Sequence, residues 1–121
     1  MPVTNEYDPQ NVFAKILRDE LPSTRIYEDD EFVAFHDIEP IAPVHVLLIP
    51  RFAMLRGPAE VSGADVDWIG RMMVIATRLA AGLGLEESGY RLVLNNGSDA
   101  GQAVPHLHVH IIGGAPLGPM A

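Results

Sequence analysis

At 121 residues and 13.2 kDa the chain has the material for one hydrophobic core and little for a second, so a single domain spanning residues 1–121 is expected. With 48% hydrophobic and 20% charged residues, and a mean hydropathy of +0.14, it is neither a disordered nor a low-complexity chain. Sixteen acidic against eight basic residues give a net charge of −8, which repels a phosphate backbone and argues against nucleic acid as a partner. The absence of cysteine excludes disulfides, thiolate zinc fingers and a thiol nucleophile.

The first eight residues are polar and acidic, without the basic start and apolar run of a secretion leader, and no apolar run approaches the roughly 20 residues of a membrane span. A cytoplasmic protein is the expectation. Asn11 is placed to cap a first helix running to about Glu20, with Val12, Phe13, Ile16 and Leu17 at helical spacing and Pro22 as its stop. Arg25 to Tyr27 and Glu31 to His36 read as strands around the Asp29-Asp30 turn, and Val44 to Ile49 as a third strand ended by Pro50. After a loop marked by Gly57, Pro58 and Gly63, Ser62 is placed to cap a long helix with Val66, Ile69, Met73, Ala76, Ala80 and Leu83 on its apolar stripe. Gly82 and Gly84 end it. Tyr90 to Leu94 predicts a strand, Asn95 to Ala103 a polar loop, and Pro105 to Ile112 the last strand before a Gly/Pro-rich tail. The pattern lacks the regular alternation of parallel units. An α+β domain follows, with about five strands in an antiparallel sheet and two helices.

The chemistry concentrates in His106-Leu107-His108-Val109-His110-Ile111. Strand side chains alternate between faces, so the three imidazoles should share one face, left open to solvent or ligand, while Leu107, Val109 and Ile111 face the core. Three readings are open: polar decoration of a sheet, a metal site with His45 as a further ligand, or histidine catalysis. The preceding loop favours the last. Asn95, Asn96, Gly97, Ser98, Asp99, Ala100, Gly101 and Gln102 combine side-chain amides with glycines whose N–H groups can approach an anion closely, which suits a phosphate cradle. A neutral imidazole attacks phosphorus near pH 7 without a metal, and a neighbouring histidine can hold the proton a leaving group needs.

Beyond the triad, the chain resembles the histidine triad superfamily, and within it the Hint branch of nucleotide-binding proteins. The resemblance is carried by Phe13-Ala14-Lys15-Ile16, Tyr27-Glu28-Asp29-Asp30, Ala34-Phe35-His36-Asp37-Ile38, Ala42-Pro43-Val44-His45, Leu48-Ile49-Pro50, the run from Asn95 to His110, and Gly113-Gly114. It implies a HIT-like fold, a homodimer whose sheets join across the interface, and hydrolysis of purine nucleoside phosphoramidates, adenosine ones above all, to the monophosphate and an amine, with no metal or other cofactor. It further implies His108 as nucleophile, His110 and Asn95 on the α-phosphate, and the backbone of Gly101 and Gln102 around it. His45 and His106 would orient and buffer the central imidazole. Asp37 would hold the ribose hydroxyls, though a turn-capping aspartate is its plainer reading, and Phe13, Ile16, Phe35, Ile38 and Leu47 would wall the base with His36 beside them, though such residues are by default core. Two positions depart from many Hint proteins. Ala103 stands where they carry a serine and offers only its backbone N–H, and the tail from Ala115 to Ala121 has no tryptophan; both bear on leaving-group preference and rate.

Overall fold

Asn11 opens the first helix, α1 (Val12–Leu17), by accepting a hydrogen bond from the Ala14 N–H at 2.9 Å on its side-chain oxygen. The computed structural model describes residues 6–120, so most of the polar amino-terminal stretch, and Ala121, lie outside the described residues. α1 is shorter than its sequence predicts. It closes at Asp19, which takes the left-handed φ of 60°, with the Asp19 N–H donating to Ile16 O and the Glu20 N–H to Lys15 O. These two backward bonds satisfy the last carbonyls and end the helix before Pro22 is reached.

The strands are β1 (Arg25–Glu28), β2 (Phe32–His36), β3 (Val44–Pro50), β4 (Tyr90–Val93) and β5 (Val109–Gly113), forming one antiparallel sheet in the order β1-β2-β3-β5-β4. Asp29 makes the β1–β2 turn by accepting the Glu31 and Phe32 N–H groups on Oδ1, each at 2.7 Å. β5 is shorter than the alternating run implied. Pairing with β3 begins at Leu48 and Val109, and ahead of it the Leu107 N–H donates to Leu55 O at 2.8 Å, outside the ladder. His106 and His108 therefore precede the strand, and only His110 stands within it.

Ser62 caps a 3₁₀ turn, Gly63–Asp65, reciprocally with Asp65, and that turn leads into α2 (Val66–Gly82). Ala76 and Ala80 are buried as expected, but Val66 and Met73 face outward, and Trp68 and Met72 take the inward places. Trp68 is the largest apolar side chain on the helix and donates from Nε1 to Asp65 Oδ1 at 2.8 Å; burying it rotates α2 until Val66 and Met73 pass the edge of the stripe. No helix among the described residues is long and apolar enough to cross a membrane.

Alternation along the strands gives the sheet two apolar faces. One carries Phe32, Ala34, Val46, Leu48, Leu107, Val109 and Ile111 against Trp68, Met72, Ala76 and Ala80 of α2. The other carries Val33, Phe35, Leu47 and Ile49 against Phe13 and Ile16 of α1. The histidine-bearing face is thus not left open along its whole length, as the sequence alone suggested: α1 roofs one end of it. His106 and His108 are only 1% and 6% exposed.

Candidate active site

A cavity of about 1180 Å³ opens on the α1 side of the sheet. His108 and His110 line it from the β5 segment, and His45 from β3, one ladder step from the Leu47–His110 pair. His106 is absent from the lining. It sits beneath, with the Phe13 ring edge-on to both His106 and His108 at centroid distances of 6.1 and 4.9 Å.

The partners of the four imidazoles fix where each carries its proton, because backbone carbonyls only accept and backbone N–H groups only donate. His108 Nδ1 lies 2.6 Å from the His106 carbonyl oxygen, so Nδ1 bears the hydrogen and Nε2 keeps its lone pair. His106 Nε2 faces the Pro50 carbonyl at 3.3 Å and donates to it, leaving Nδ1 to accept from the Tyr7 hydroxyl at 2.7 Å. His45 Nδ1 accepts from the Ile41 N–H at 3.2 Å, so its Nε2 carries the hydrogen and donates to His110 Nδ1 at 2.8 Å. His110 is left with an N–H on Nε2. The result is one imidazole with its lone pair on Nε2 beside one that presents a donor there, their rings 4.8 Å apart.

Burial lowers the affinity of all four for an extra proton. Desolvation brings His106 and His110 down to about 4 and pushes His108 and His45 below the ordinary histidine value, with the Asp37 carboxylate partly opposing it at His45, His108 and His110. At pH 7 the cluster is neutral, so it offers lone pairs and N–H donors and holds no spare proton.

Asp37 connects this cluster to the β2–β3 loop. Its Oδ1 accepts the Glu39 N–H at 2.8 Å, the turn-capping role, while Oδ2 stands 3.4 Å from His45 Nε2 at the cavity wall. Asp37, His45 and His110 are the one group of three ligand-type side chains that converges among the described residues, within 4.8 Å. To ligate through Nε2, a neutral His45 would need its proton on Nδ1, where the Ile41 N–H already points. The triad histidines do not converge as a metal set either, since Tyr7 and Pro50 occupy both ring nitrogens of His106.

The loop after β4 borders the cavity through Asn95, Gly101, Gln102 and Ala103. Gly97 and Gly101 take positive φ values of 84° and 76°, which fold it into a tight turn. The Gln102 side chain is consumed in holding that shape: Oε1 accepts the Gly97 N–H, and Nε2 donates to Arg56 O and Val104 O. The Gly101 and Gln102 N–H groups are engaged too, donating to Ser98 O and Gly97 O, which leaves Ala103 as the backbone donor of this stretch at the cavity. Of the five apolar residues expected around a base, Phe13, Ile16, Phe35 and Leu47 belong to the buried cluster and also line the cavity, while Ile38 is 88% exposed at its rim near His36.

Sequence reasoning missed Leu21, Pro22, Ile41, Arg91 and the tail residues Leu117 to Met120, all of which line the cavity. Arg91 is held to the tail by a hydrogen bond from Nη2 to the Gly118 carbonyl. The register shows why it belongs: Arg91 pairs with Ile112, which pairs with His45, so all three share a face.

An antiparallel sheet with a histidine cluster at its central strands, closed by a glycine-turn loop, is the arrangement of one family. Residues 18–117 match the HIT domain family, and the chain belongs to that family. It is 43% identical over 111 residues to a purine nucleoside phosphoramidase of Escherichia coli K12, covering 92% of each chain. It is 45% identical over 114 residues to a HIT-like protein of Azospirillum brasilense, covering 94% of this chain and 93% of the relative. Among solved structures it superposes on a HIT family hydrolase from Clostridium thermocellum with a TM-score of 0.85 at 44% identity, covering 91% of this chain and 95% of that one.

Proposed function

We propose that this chain is a metal-independent purine nucleoside phosphoramidate hydrolase, with His108 as its nucleophile. The observation that carries the reading is the bond from His108 Nδ1–H to the His106 carbonyl, which leaves the Nε2 lone pair at the cavity wall. The phosphoramidase named in E. coli, 43% identical, supports the substrate class.

In this reading the base lies between Phe13, Ile16, Phe35, Leu47 and Ile38, and the ribose hydroxyls reach Asp37 Oδ2. The α-phosphate sits against His110 Nε2–H, Asn95 and the Ala103 N–H, with the Gly101 and Gln102 backbone around it, the N–H groups of those two donating to Ser98 O and Gly97 O. His108 Nε2 attacks phosphorus and the P–N bond breaks. The amine leaves with a proton drawn from water, because the neighbouring imidazoles are neutral at pH 7. The hydroxide left by that proton transfer then attacks the nucleotidyl-histidine, forming the P–O bond as the P–N bond to His108 breaks, which releases the nucleoside monophosphate and restores the imidazole.

Steady-state hydrolysis of a fluorogenic adenosine 5′-phosphoramidate should be readily measured with and without EDTA, and unchanged by it. Loss of activity to EDTA would move the reading to a metal site. Tight AMP binding with no turnover of any phosphoramidate would make the chain a nucleotide-binding or scaffold protein instead.

We also propose a cytoplasmic homodimer. β4 lies at the sheet edge with one row of backbone hydrogen-bonding groups unpaired within the sheet, and α2 exposes Val66, Met73 and Val74. A second copy joining at β4 would continue the sheet across the interface. Light scattering should give a mass about twice 13.2 kDa; a monomer mass would overturn the assembly.

A further inference from the structure

The segment ahead of α1 holds a group that the proposed chemistry does not use. Tyr7 places its hydroxyl 2.7 Å from His106 Nδ1, with the two rings 5.6 Å apart and tilted. The segment is anchored to α1. Asn11, 7% exposed, donates from Nδ2 to the Asp8 carbonyl while capping Ala14, and Arg18 Nη1 donates to the Pro9 carbonyl at 2.8 Å. His106 is enclosed, with Phe13 edge-on to its ring and Pro50 O accepting from Nε2.

We infer that Tyr7 is a positioning residue: with Pro50 O fixing the His106 tautomer as Nε2–H, the Tyr7 hydroxyl on Nδ1 holds the ring in place, and thereby the carbonyl that keeps His108 as its Nδ1–H form. Two hydrogen bonds join Tyr7 to the nucleophile through His106, and a third anchors the His106 ring to Pro50. Tyr7 O–H donates to His106 Nδ1, His106 Nε2–H donates to Pro50 O, and His108 Nδ1–H donates to His106 O. Only the last touches a residue that lines the cavity.

Without the hydroxyl, a buried imidazole nitrogen loses its donor. A change of tautomer would forfeit the Pro50 bond and gain no partner, so the ring tilts or turns toward a new donor, which strains that bond. A ring that turns inside a packed pocket pulls on its own backbone. The His106 carbonyl accepts from His108 Nδ1 at 2.6 Å, and turning it off the N–H axis weakens that bond. His108 then divides between tautomers, and the fraction with its lone pair on Nε2 falls.

Tyr7→Phe keeps the ring and removes only the donor. The decisive measurement is the ¹⁵N tautomer pattern of His106 and His108 by NMR in wild type and variant, a readout that a merely space-filling role for Tyr7 leaves unmoved. Wild type is expected to show His106 as Nε2–H and His108 as Nδ1–H; Tyr7→Phe is expected to keep His106 as Nε2–H, with its Nδ1 resonance moved by the lost donor, and to show the His108 Nδ1 resonance shifted toward a mixture of tautomers. The rate part rests on the phosphoramidate reading above: kcat is expected to fall about tenfold, with KM within about twofold, since the ligand-contacting groups are untouched. A His108 Nδ1 resonance that stays at its wild-type position in Tyr7→Phe would overturn the proposal, as would an unchanged kcat. Should wild type turn over no phosphoramidate, the functional reading fails by itself and the tautomer pattern alone decides the role of Tyr7.

Discussion

His108→Ala is expected to lower kcat/KM for an adenosine phosphoramidate by on the order of 10⁴-fold or more, the scale seen when a covalent nucleophile is removed. The size of the effect follows from how completely the structure commits this one ring. Its proton is held on Nδ1 by the His106 carbonyl, its face is set by the Phe13 edge, and burial keeps it neutral at pH 7. No other imidazole can stand in. His106 has both nitrogens engaged, and the Nδ1 lone pair of His110 already accepts from His45. Trapping with substrate should place the nucleotidyl label on His108 of the wild type and nowhere on the variant; a label that survives in His108→Ala would refute the assignment.

The second large effect concerns stability in mild acid. His106 and His110 titrate near 4 in the folded chain because burial penalises their charged forms, whereas in the unfolded chain they take up protons near 6.5. Between those values the unfolded state binds more protons than the folded one. Stability is therefore fully present above about pH 6.5 and is lost as the pH falls toward 4. His106, almost wholly enclosed, contributes a loss of about 2 kcal/mol between pH 7 and pH 5. His45 and His108 act in the same direction. Carboxylates held low by partners, such as Asp29, weigh in only at still lower pH, so this window belongs to the histidines. Urea unfolding at pH 7 and pH 5 checks it, and equal free energies at the two pH values would contradict it.

Much of this fold could be read from spacing alone. The alternation in the His106–Ile111 run marked the core face correctly, because Leu107, Val109 and Ile111 do pack on α2. What spacing could not reveal was the second apolar cluster. Val33, Phe35, Leu47 and Ile49 alternate as cleanly as the first set, but only the arrival of α1 turns their face into an interior. The phase of α2 was misread because counting apolar residues gives Val66 and Met73 the same weight as Trp68, whereas burial favours the largest side chain.

The same limit applies at the cavity. The histidines, Asp37 and the glycine-turn loop announce themselves by residue type. Arg91 and the tail line the cavity only because β4 sits beside β5, a pairing between strands whose hydrophobic patterns say nothing of their order. Tyr7 gave no sequence signal, since one aromatic residue in a polar stretch has no period. Gln102 illustrates the converse: its side chain suggests a ligand contact, and the fold spends it on the loop.

The strand order also determines when the cluster can come into being. β5 lies between β3 and β4, yet it follows both in the chain, so Val44 waits for Gly113 and Leu48 for Val109. As the chain leaves the ribosome, β1, β2 and β3 can form their meander and α2 can coil, but the slot that receives His110 stays vacant until the chain through Gly113 has emerged. The long closure places this sheet among the slower topologies for its size. The same delay keeps the nucleophile out of register until the rest of the sheet is there to hold it, so a partly made or locally opened chain carries the histidines without their arrangement.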